Sequence, residues 1–234
     1  MELLRLAVFW YSEIREFTTL ASKQITVLVD QKLHADLFNV LQELFDLPLE
    51  TKRKNVSDVP FTGFIEHVPH RSFIESMAIT RTETLEGIQD FTKTMWPNGN
   101  NNFCKIVHSY TKTVEELHKM VVKMIFDGYG ENGEWLDVHL ASSDFLVLAG
   151  EGIMGWSNDR IDGCDHRVTI KSKEKRFSVG LFSFDKGIMQ VPKEFVDDDH
   201  PLMYKPFDHI GLLHFFGTPE GYKQHHSLKA YTGL

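Results

Sequence analysis

The chain has 234 residues, of which 42% are hydrophobic and 12% aromatic, and this composition suits one globular domain with a substantial core. Its formal net charge of −8 argues against a nucleic-acid surface, because phosphate binding needs clustered Lys and Arg. Cys104 and Cys164 show no CxxC spacing, so neither a disulfide framework nor a structural zinc site is predicted. A reduced, cytoplasmic setting fits this cysteine usage.

An apolar run at residues 6–11 lies close to the amino terminus. Glu2 and Arg5 precede the run, and Glu13, Arg15 and Glu16 follow it. The run is too short to span a membrane and is poorly shaped as a signal peptide. No membrane association is therefore predicted.

Apolar residues three and four positions apart predict two amphipathic helices in the first part of the chain. The first runs from Leu33 to Phe45 and ends before Pro48, and the second runs from Thr111 to Asp127 and ends at the following glycines. Proline, glycine and asparagine between them indicate loops with short elements.

After Gly130 the pattern changes to short β-type runs, at residues 145–149, 168–170, 177–184 and 188–191. Turn-forming residues separate these runs. Helices followed by strands predict an α+β chain whose carboxy-terminal half is a sandwich or barrel rather than an alternating parallel sheet.

Several local motifs in the second half occur together, namely Gly133-Glu-Trp135, residues 145–150, Trp156-Ser-Asn158, Arg160-Ile161, His166-Arg-Val168 and Arg176-Phe-Ser178. They resemble the plant 2-oxoglutarate-dependent dioxygenases. Other segments resemble the crucifer glucosinolate side-chain branch of that family, the alkenyl- and hydroxyalkyl-producing enzymes; these are residues 44–52, 75–77, 84–87, 95–97, 196–201 and 204–207.

The resemblance extends from about residue 24 to residue 221 and implies a division into three regions. Residues 1–23 are a divergent amino-terminal segment, 24–130 a helical amino-terminal dioxygenase region, and 131–234 a partial jelly roll with a carboxy-terminal tail. The implied fold is a helical half followed by an incomplete double-stranded β-helix.

Enzymes of this family hold Fe(II) with two histidines and one carboxylate and leave positions for O2 and 2-oxoglutarate. The resemblance assigns the distal histidine ligand to His166, and it assigns the contact with the far carboxylate of 2-oxoglutarate to Arg176 and Ser178. A guanidinium presents a planar fork to a carboxylate and a hydroxyl adds a second donor. Because alternate strand residues share a face, we expect both side chains to point inward.

The other two iron ligands of the family form an H-x-D motif on an early barrel strand, and the chain has no room for that strand. Gly128-Tyr-Gly130 runs directly into Glu131-Asn-Gly-Glu-Trp135. The literal H-x-D at His34-Ala-Asp36 falls within the first predicted helix, where residues two apart point about 200° apart and cannot bind one metal; we expect it on the solvated side. Asp165 is also unsuitable, because neighbours on a strand face opposite sides.

The remaining candidate residues have structural rather than chemical interpretations. We expect His67 and His70 to be loop residues beside Pro69, and His225-His226 to belong to a solvated tail. Cys104 and Cys164 are expected to be free thiols without a catalytic partner.

A jelly roll has eight strands, and the residues after Gly130 offer only about five or six. We therefore expect an open barrel with unpaired strand edges. The resulting functional prediction is an oxidoreductase by descent that is inactive as written, related to enzymes that oxidise aliphatic glucosinolate side chains. One alternative is a non-catalytic protein that associates with full-length relatives. Another is an altered transcript whose product never accumulates.

Overall fold

The structure is a computed structural model. It describes residues 3–11, 17–19, 23–26, 30–66, 74–126, 136–138, 144–168, 176–185 and 187–232. The chain begins with three strands, β1 (Leu3–Tyr11), β2 (Phe17–Thr19) and β3 (Lys23–Thr26). A mostly helical region follows, and a mostly β region comes after it. Within these ranges, no helix is both long enough and apolar enough to cross a membrane.

The helical region comprises α1 (Gln31–Phe45), α2 (Leu49–Lys52), β4 (Phe64–Ile65), β5 (Ile74–Thr80), α3 (Leu85–Met95) and α4 (Asn101–Phe126). The first predicted helix agrees with α1, which begins where the Asp30 carboxylate accepts a hydrogen bond from the Lys32 amide at 2.9 Å. The second predicted helix agrees with the end of α4, but α4 begins ten residues earlier, at Asn101.

The sequence predicts loops with short elements between the two helices, and the structure places β5 and α3 there. The Thr84 hydroxyl caps α3 by accepting a hydrogen bond from the Gly87 amide at 3.1 Å. An added Cβ on Gly87 would lie 2.2 Å from the Arg81 carbonyl oxygen, so only glycine allows this close approach. A capped helix was therefore present in a segment rich in turn-forming residues.

The principal core lies between these helices and β5, and its fully buried members are Leu37, Leu41, Leu44, Met77, Ile79, Ile88, Phe103 and Val107. Two residues of a later strand, Phe177 and Val179, pack against the same cluster. The rings of Phe45 and Phe177 lie 5.7 Å apart. The helical layer therefore covers one face of that strand.

The β region comprises β6 (Leu136–Val138), β7 (Asp144–Val147), α5 (Glu151–Trp156), β8 (His166–Val168), β9 (Arg176–Phe184), β10 (Ile188–Met189), β11 (Phe207–Asp208), α6 (His209–Phe216) and α7 (Ser227–Thr232). A second, smaller core holds α5, α6 and α7 together and consists of Met154, Tyr204, Phe207, Leu212 and Leu228. The predicted strand runs correspond to β7, β8, β9 and β10. The two helices after β11 were not predicted.

The three amino-terminal strands each form an antiparallel pair with a strand of the carboxy-terminal half. β1 pairs with β9, β2 with β8, and β3 with β7. β1 also pairs with β5, which gives a four-stranded sheet in the order β4-β5-β1-β9, and β2 also pairs with β6. Each amino-terminal strand therefore pairs with one side of β7, β8 or β9. The expected open edges remain, because β4 and β9, β6 and β8, and β3 and β7 are the outer strands of their sheets among the described residues.

The predicted fold class is confirmed: a helical region precedes an incomplete double-stranded β-helix. A jelly roll contains eight strands, and the three antiparallel pairs just described account for six of them.

Candidate functional site

The strand β9 carries the two residues predicted to bind a carboxylate. Arg176 is its first residue and pairs with Tyr11, and Ser178 pairs with Phe9. Because Phe177 and Val179 pack against the helical core, the partly buried Ser178 faces the opposite side of the sheet. Position 176 has the same strand parity as Ser178, and its side chain is not among the described ones.

The far end of the same face is aromatic. The rings of Phe182 and Phe184 stack at 6.3 Å, and Phe184 meets the imidazole of His209 edge-on at 5.2 Å. The backbone amide of Asp185 donates a hydrogen bond to His209 Nδ1 at 3.3 Å. Gly152 allows His209 to approach α5, because an added Cβ there would lie 2.8 Å from His209 Cε1. His209, which no sequence motif indicated, thus joins the end of β9 to α5.

His166 is the first residue of β8 and is exposed. Its Nδ1 lies 3.0 Å from the Cys164 carbonyl oxygen, and its strand partner in β2 is Thr19. The adjacent Asp165 is directed elsewhere, since its Oδ2 lies 3.2 Å from His225 Nε2. The structure therefore places the predicted iron ligand at the start of a short strand, opposite Thr19 and beside a carboxylate that is paired with His225.

The side chains that the structure describes do not form an iron centre. Among the residues that the structure describes, no group of three His, Cys, Asp or Glu side chains could hold a metal ion. The sequence of residues 17–26, which includes β2 and β3, contains no histidine and no carboxylate. His166 therefore gains no second ligand from the strand that pairs with it.

The literal H-x-D at His34-Ala-Asp36 lies on α1, as predicted, and is not a metal site. Asp36 forms an ion pair with Lys32 at 2.5 Å. The His34 ring packs on Phe38 at 4.8 Å and on Tyr110 at 6.5 Å, so the expectation of a solvated side is wrong for His34. Burial lowers the pKa of His34, which favours a neutral packed imidazole.

His225 and His226 belong to a polar cluster that also contains Glu151 and Asp165. The Glu151 carboxylate accepts hydrogen bonds from the Ser227 amide at 2.8 Å and the Leu228 amide at 3.0 Å, at the start of α7. His226 Nδ1 lies 3.7 Å from Glu151 Oε1. The prediction that both histidines are solvated is correct for His225, which is exposed, and wrong for His226, which is partly buried. Burial raises the pKa of Glu151, against the opposing effect of the two amides.

The Trp156-Ser-Asn158 motif forms the turn after α5. Asn158 and Asp159 both have positive φ, at 57° and 62°. The Asn158 amide donates to the carbonyls of Phe195 at 3.2 Å and Pro201 at 3.0 Å, and its oxygen accepts from the Met203 amide at 2.8 Å. Asn158 thus positions the segment that follows β10.

Asp159 connects the same turn to α7. It accepts a hydrogen bond from the buried Tyr204 hydroxyl and forms an ion pair with Lys229 at 3.0 Å. Burial and the Asp159 carboxylate together raise the pKa of Tyr204. The motif therefore has an architectural role in this chain.

Cys104 and Cys164 are both buried, and they are not joined by a disulfide. The Cys104 thiol lies 3.2 Å from the Thr92 hydroxyl. His67 and His70 lie outside the described residues.

Residues 120–185 match the 2OG-Fe(II) oxygenase superfamily. The chain is 27% identical to "Probable 2-oxoglutarate-dependent dioxygenase AOP1.2" of Arabidopsis thaliana, over 87% of this chain and 82% of that protein. It is 21% identical to the Arabidopsis thaliana "2-oxoglutarate-dependent dioxygenase AOP3", over 88% of this chain and 87% of that protein. It is 19% identical to "Probable inactive 2-oxoglutarate-dependent dioxygenase AOP2" from the same plant, over 88% and 87%.

These alignments also bear on the predicted internal truncation. The alignment with the AOP3 protein extends over 362 positions, which a chain of 234 residues cannot fill. At many positions of the alignment, therefore, the relative has a residue and this chain has a gap. The chain is internally shorter than this relative.

Solved structures show the same fold at low sequence identity. A rice dioxygenase for auxin oxidation has a TM-score of 0.56 at 18% identity, covering 81% of this chain and 82% of that one. The Arabidopsis thaliana enzyme AtDAO1, in a complex with 2-oxoglutarate, has a TM-score of 0.67 at 16% identity, covering 81% and 91%.

Proposed function

We propose that the chain is an inactive member of the 2-oxoglutarate- and Fe(II)-dependent oxygenases, of their glucosinolate branch. The match of residues 120–185 to the superfamily and the Arabidopsis thaliana relatives that cover most of the chain support this proposal. The complete relatives would oxidise aliphatic glucosinolate side chains. The observation that carries the proposal is the composition of the strand beside His166. The proposed regions remain residues 1–23, 24–130 and 131–234. The proposed setting is cytoplasmic, which suits two cysteines that form no disulfide with each other.

Iron in this family requires two histidines and one carboxylate on one face of the metal. β2 is the neighbour of β8, and Thr19 lies across from His166. A neutral hydroxyl is a poor substitute for an imidazole or a carboxylate, and residues 17–26 offer neither. One imidazole does not hold Fe(II), so the chain lacks the metal that activates O2.

Arg176 and Ser178 are proposed as the retained half of the co-substrate site. Ser178 remains partly buried on the face of β9 away from the helices, which suits contact with a carboxylate. 2-Oxoglutarate would be held at this end only, because the other end of the molecule normally binds the metal. We therefore expect weak binding of 2-oxoglutarate without turnover.

Turnover is tested with purified chain, Fe(II), ascorbate, O2 and 2-oxoglutarate, with succinate as the product measured. A complete relative serves as the positive control, and the His166→Ala variant serves as the matched negative control. We expect equal, background succinate from the parent chain and the variant. Iron-dependent succinate that the His166→Ala variant loses would overturn the proposal.

A second candidate function is association with a full-length relative as a non-catalytic partner. One observation favours it: Phe61, Phe216 and Tyr222 are exposed aromatic residues whose rings contact one another, at 5.4 Å between Phe61 and Phe216 and 6.2 Å between Phe216 and Tyr222. Exposed aromatic clusters are typical of protein interfaces.

Co-purification with a tagged full-length relative tests this candidate. We expect Phe61→Ser together with Tyr222→Ser to abolish the complex. Val56→Ser is the control, because Val56 is 82% exposed and lies outside the ring cluster. No complex with the parent chain, or a complex that the double variant retains, would remove this candidate.

A further inference from the structure

The amino-terminal strands and their partners follow a nested order. Moving forward along the chain, β1, β2 and β3 pair with β9, β8 and β7, which come in the reverse order. All three pairs are antiparallel. This is the order produced by one long two-stranded ribbon that runs out through β1 to β3 and returns through β7 to β9.

The two halves of this ribbon are separated in sequence by the helical region. A ribbon whose halves follow one another would need its first half between α4 and β6, which is where the sequence has no room for it. We propose that β1, β2 and β3 form the first half of the jelly-roll ribbon, placed before the helical region instead of after it. The chain is then a rearranged jelly roll, in which strands from the amino terminus take the place of the strands expected after Gly130.

The three pairs agree in direction and in order. The pair of β1 and β9 is the longest and runs without interruption from Leu3 opposite Phe184 to Tyr11 opposite Arg176. The shorter pairs place Thr19 opposite His166 and Thr26 opposite Asp144. An unrelated segment would have to match three partners in direction and order to give this result.

The position of β1 indicates a central strand rather than an added edge strand. It lies between β5 and β9 and pairs with both, from Arg5 opposite Thr80 to Tyr11 opposite Ile74 on the β5 side. Its sequence, Leu-Leu-Arg-Leu-Ala-Val-Phe-Trp-Tyr, is an almost continuous apolar run, which is typical of a strand covered on both faces. The same run explains why the amino terminus looks hydrophobic.

The boundary that the family resemblance places between residues 23 and 24 falls inside β3. In this arrangement β2 occupies the strand position beside His166, and its residues, Phe17 to Thr19, include no histidine or carboxylate. The inference rests on strand pairing and holds whether or not the chain binds iron, so its test is independent of turnover.

A metal site made of two histidines, one on β2 and one on β8, tests the pairing of these two strands in the full-length chain. Directly opposed residues in an antiparallel pair have Cβ atoms about 5 Å apart, so Thr19→His should bind Zn²⁺ or Ni²⁺ together with His166. A metal at a hundredfold excess over its Kd should raise the Tm by about 5–10 °C. Thr18→His is the matched control, because its side chain faces the other side of the sheet.

We expect the metal-induced rise in Tm for Thr19→His, its loss in the Thr19→His, His166→Ala double variant, and no rise for Thr18→His. No rise for Thr19→His, or an equal rise for Thr18→His, would overturn the pairing and the proposal with it.

Relocation of the segment then tests the order. Deletion of residues 1–26 should abolish the cooperative thermal transition. Insertion of the same residues between Gly130 and Glu131, through flexible Gly-Ser linkers, should restore the transition. It should also restore the metal-induced rise in Tm when the inserted segment contains Thr19→His. A scrambled segment at the same place is the control. An unchanged melt after deletion would contradict the proposal, as would failure of the relocated segment to restore either signal.

Discussion

Glu151 provides the sharpest test of how the carboxy-terminal helix is held. Its carboxylate accepts hydrogen bonds from the first two amides of α7, at 2.8 and 3.0 Å, and α7 inserts the fully buried Leu228 into the second core. Glu151→Ala removes both acceptors. Hydrogen bonds to a charged group contribute about 1.5–3 kcal/mol each, and the burial of the carboxylate offsets part of that gain. We therefore expect a loss of about 2–3 kcal/mol.

This loss corresponds to a Tm lower by about 5–10 °C for a chain of this size, measured by differential scanning calorimetry. Glu151→Gln keeps a neutral acceptor and should lose about half as much. Glu116→Ala is the control, since Glu116 is exposed on α4 and should change stability by less than about 0.5 kcal/mol. A Glu151→Ala variant that melts within about 1 °C of the parent would show that Glu151 does not hold α7 in place.

The pH dependence of the same group has a defined sign. Because burial raises the pKa of Glu151 above 4.5, the folded chain takes up a proton there before the unfolded chain does. This contribution to stability is complete below pH 4.5 and is lost as the pH rises through the raised pKa. The Tm of the parent relative to Glu151→Gln should therefore increase from pH 7 to pH 4.5. His226→Gln in both backgrounds controls for the neighbouring imidazole.

Two further substitutions test the turn and the core. Asn158→Ala should lower stability by about 2–4 kcal/mol, because it removes three hydrogen bonds and places alanine at a positive φ. Asn158→Gly removes the same hydrogen bonds but should lower stability less, because glycine adopts a positive φ without strain. Equal melting temperatures for the two variants would contradict the strain at this position. Leu41→Ala should cost about 2–5 kcal/mol in chemical denaturation, since Leu41 is fully buried between the helices. A loss below about 1 kcal/mol would mean that the helical core is loosely packed.

The sequence predicted the parts of the fold that local patterns encode. Apolar periodicity identified α1 and the end of α4, and short β-type runs identified β7 and β9. α3 was missed because its cap and its close Gly87 contact lie within a stretch that otherwise indicates turns. The pairing of β1 with β9 joins residues more than 160 positions apart, and no local pattern reports such a contact.

The candidate site was predictable to a similar degree. The motifs led to His166, Arg176 and Ser178, and the strand alternation that places Ser178 away from the helices follows from Phe177 and Val179 being apolar. Two residues were missed. His209 and Glu151 act through contacts with distant elements, at the end of β9 and the start of α7, and an isolated histidine or glutamate gives no signal of this in a single sequence.

Equilibrium metal binding distinguishes a chain without an iron site from one that retains it. Fe(II) is titrated anaerobically into the purified chain by calorimetry, with 2-oxoglutarate present and a complete relative as the positive control. We expect the chain to bind no stoichiometric Fe(II) and His166→Ala to give the same trace as the parent. One equivalent of Fe(II) bound by the parent and lost in His166→Ala would contradict this expectation.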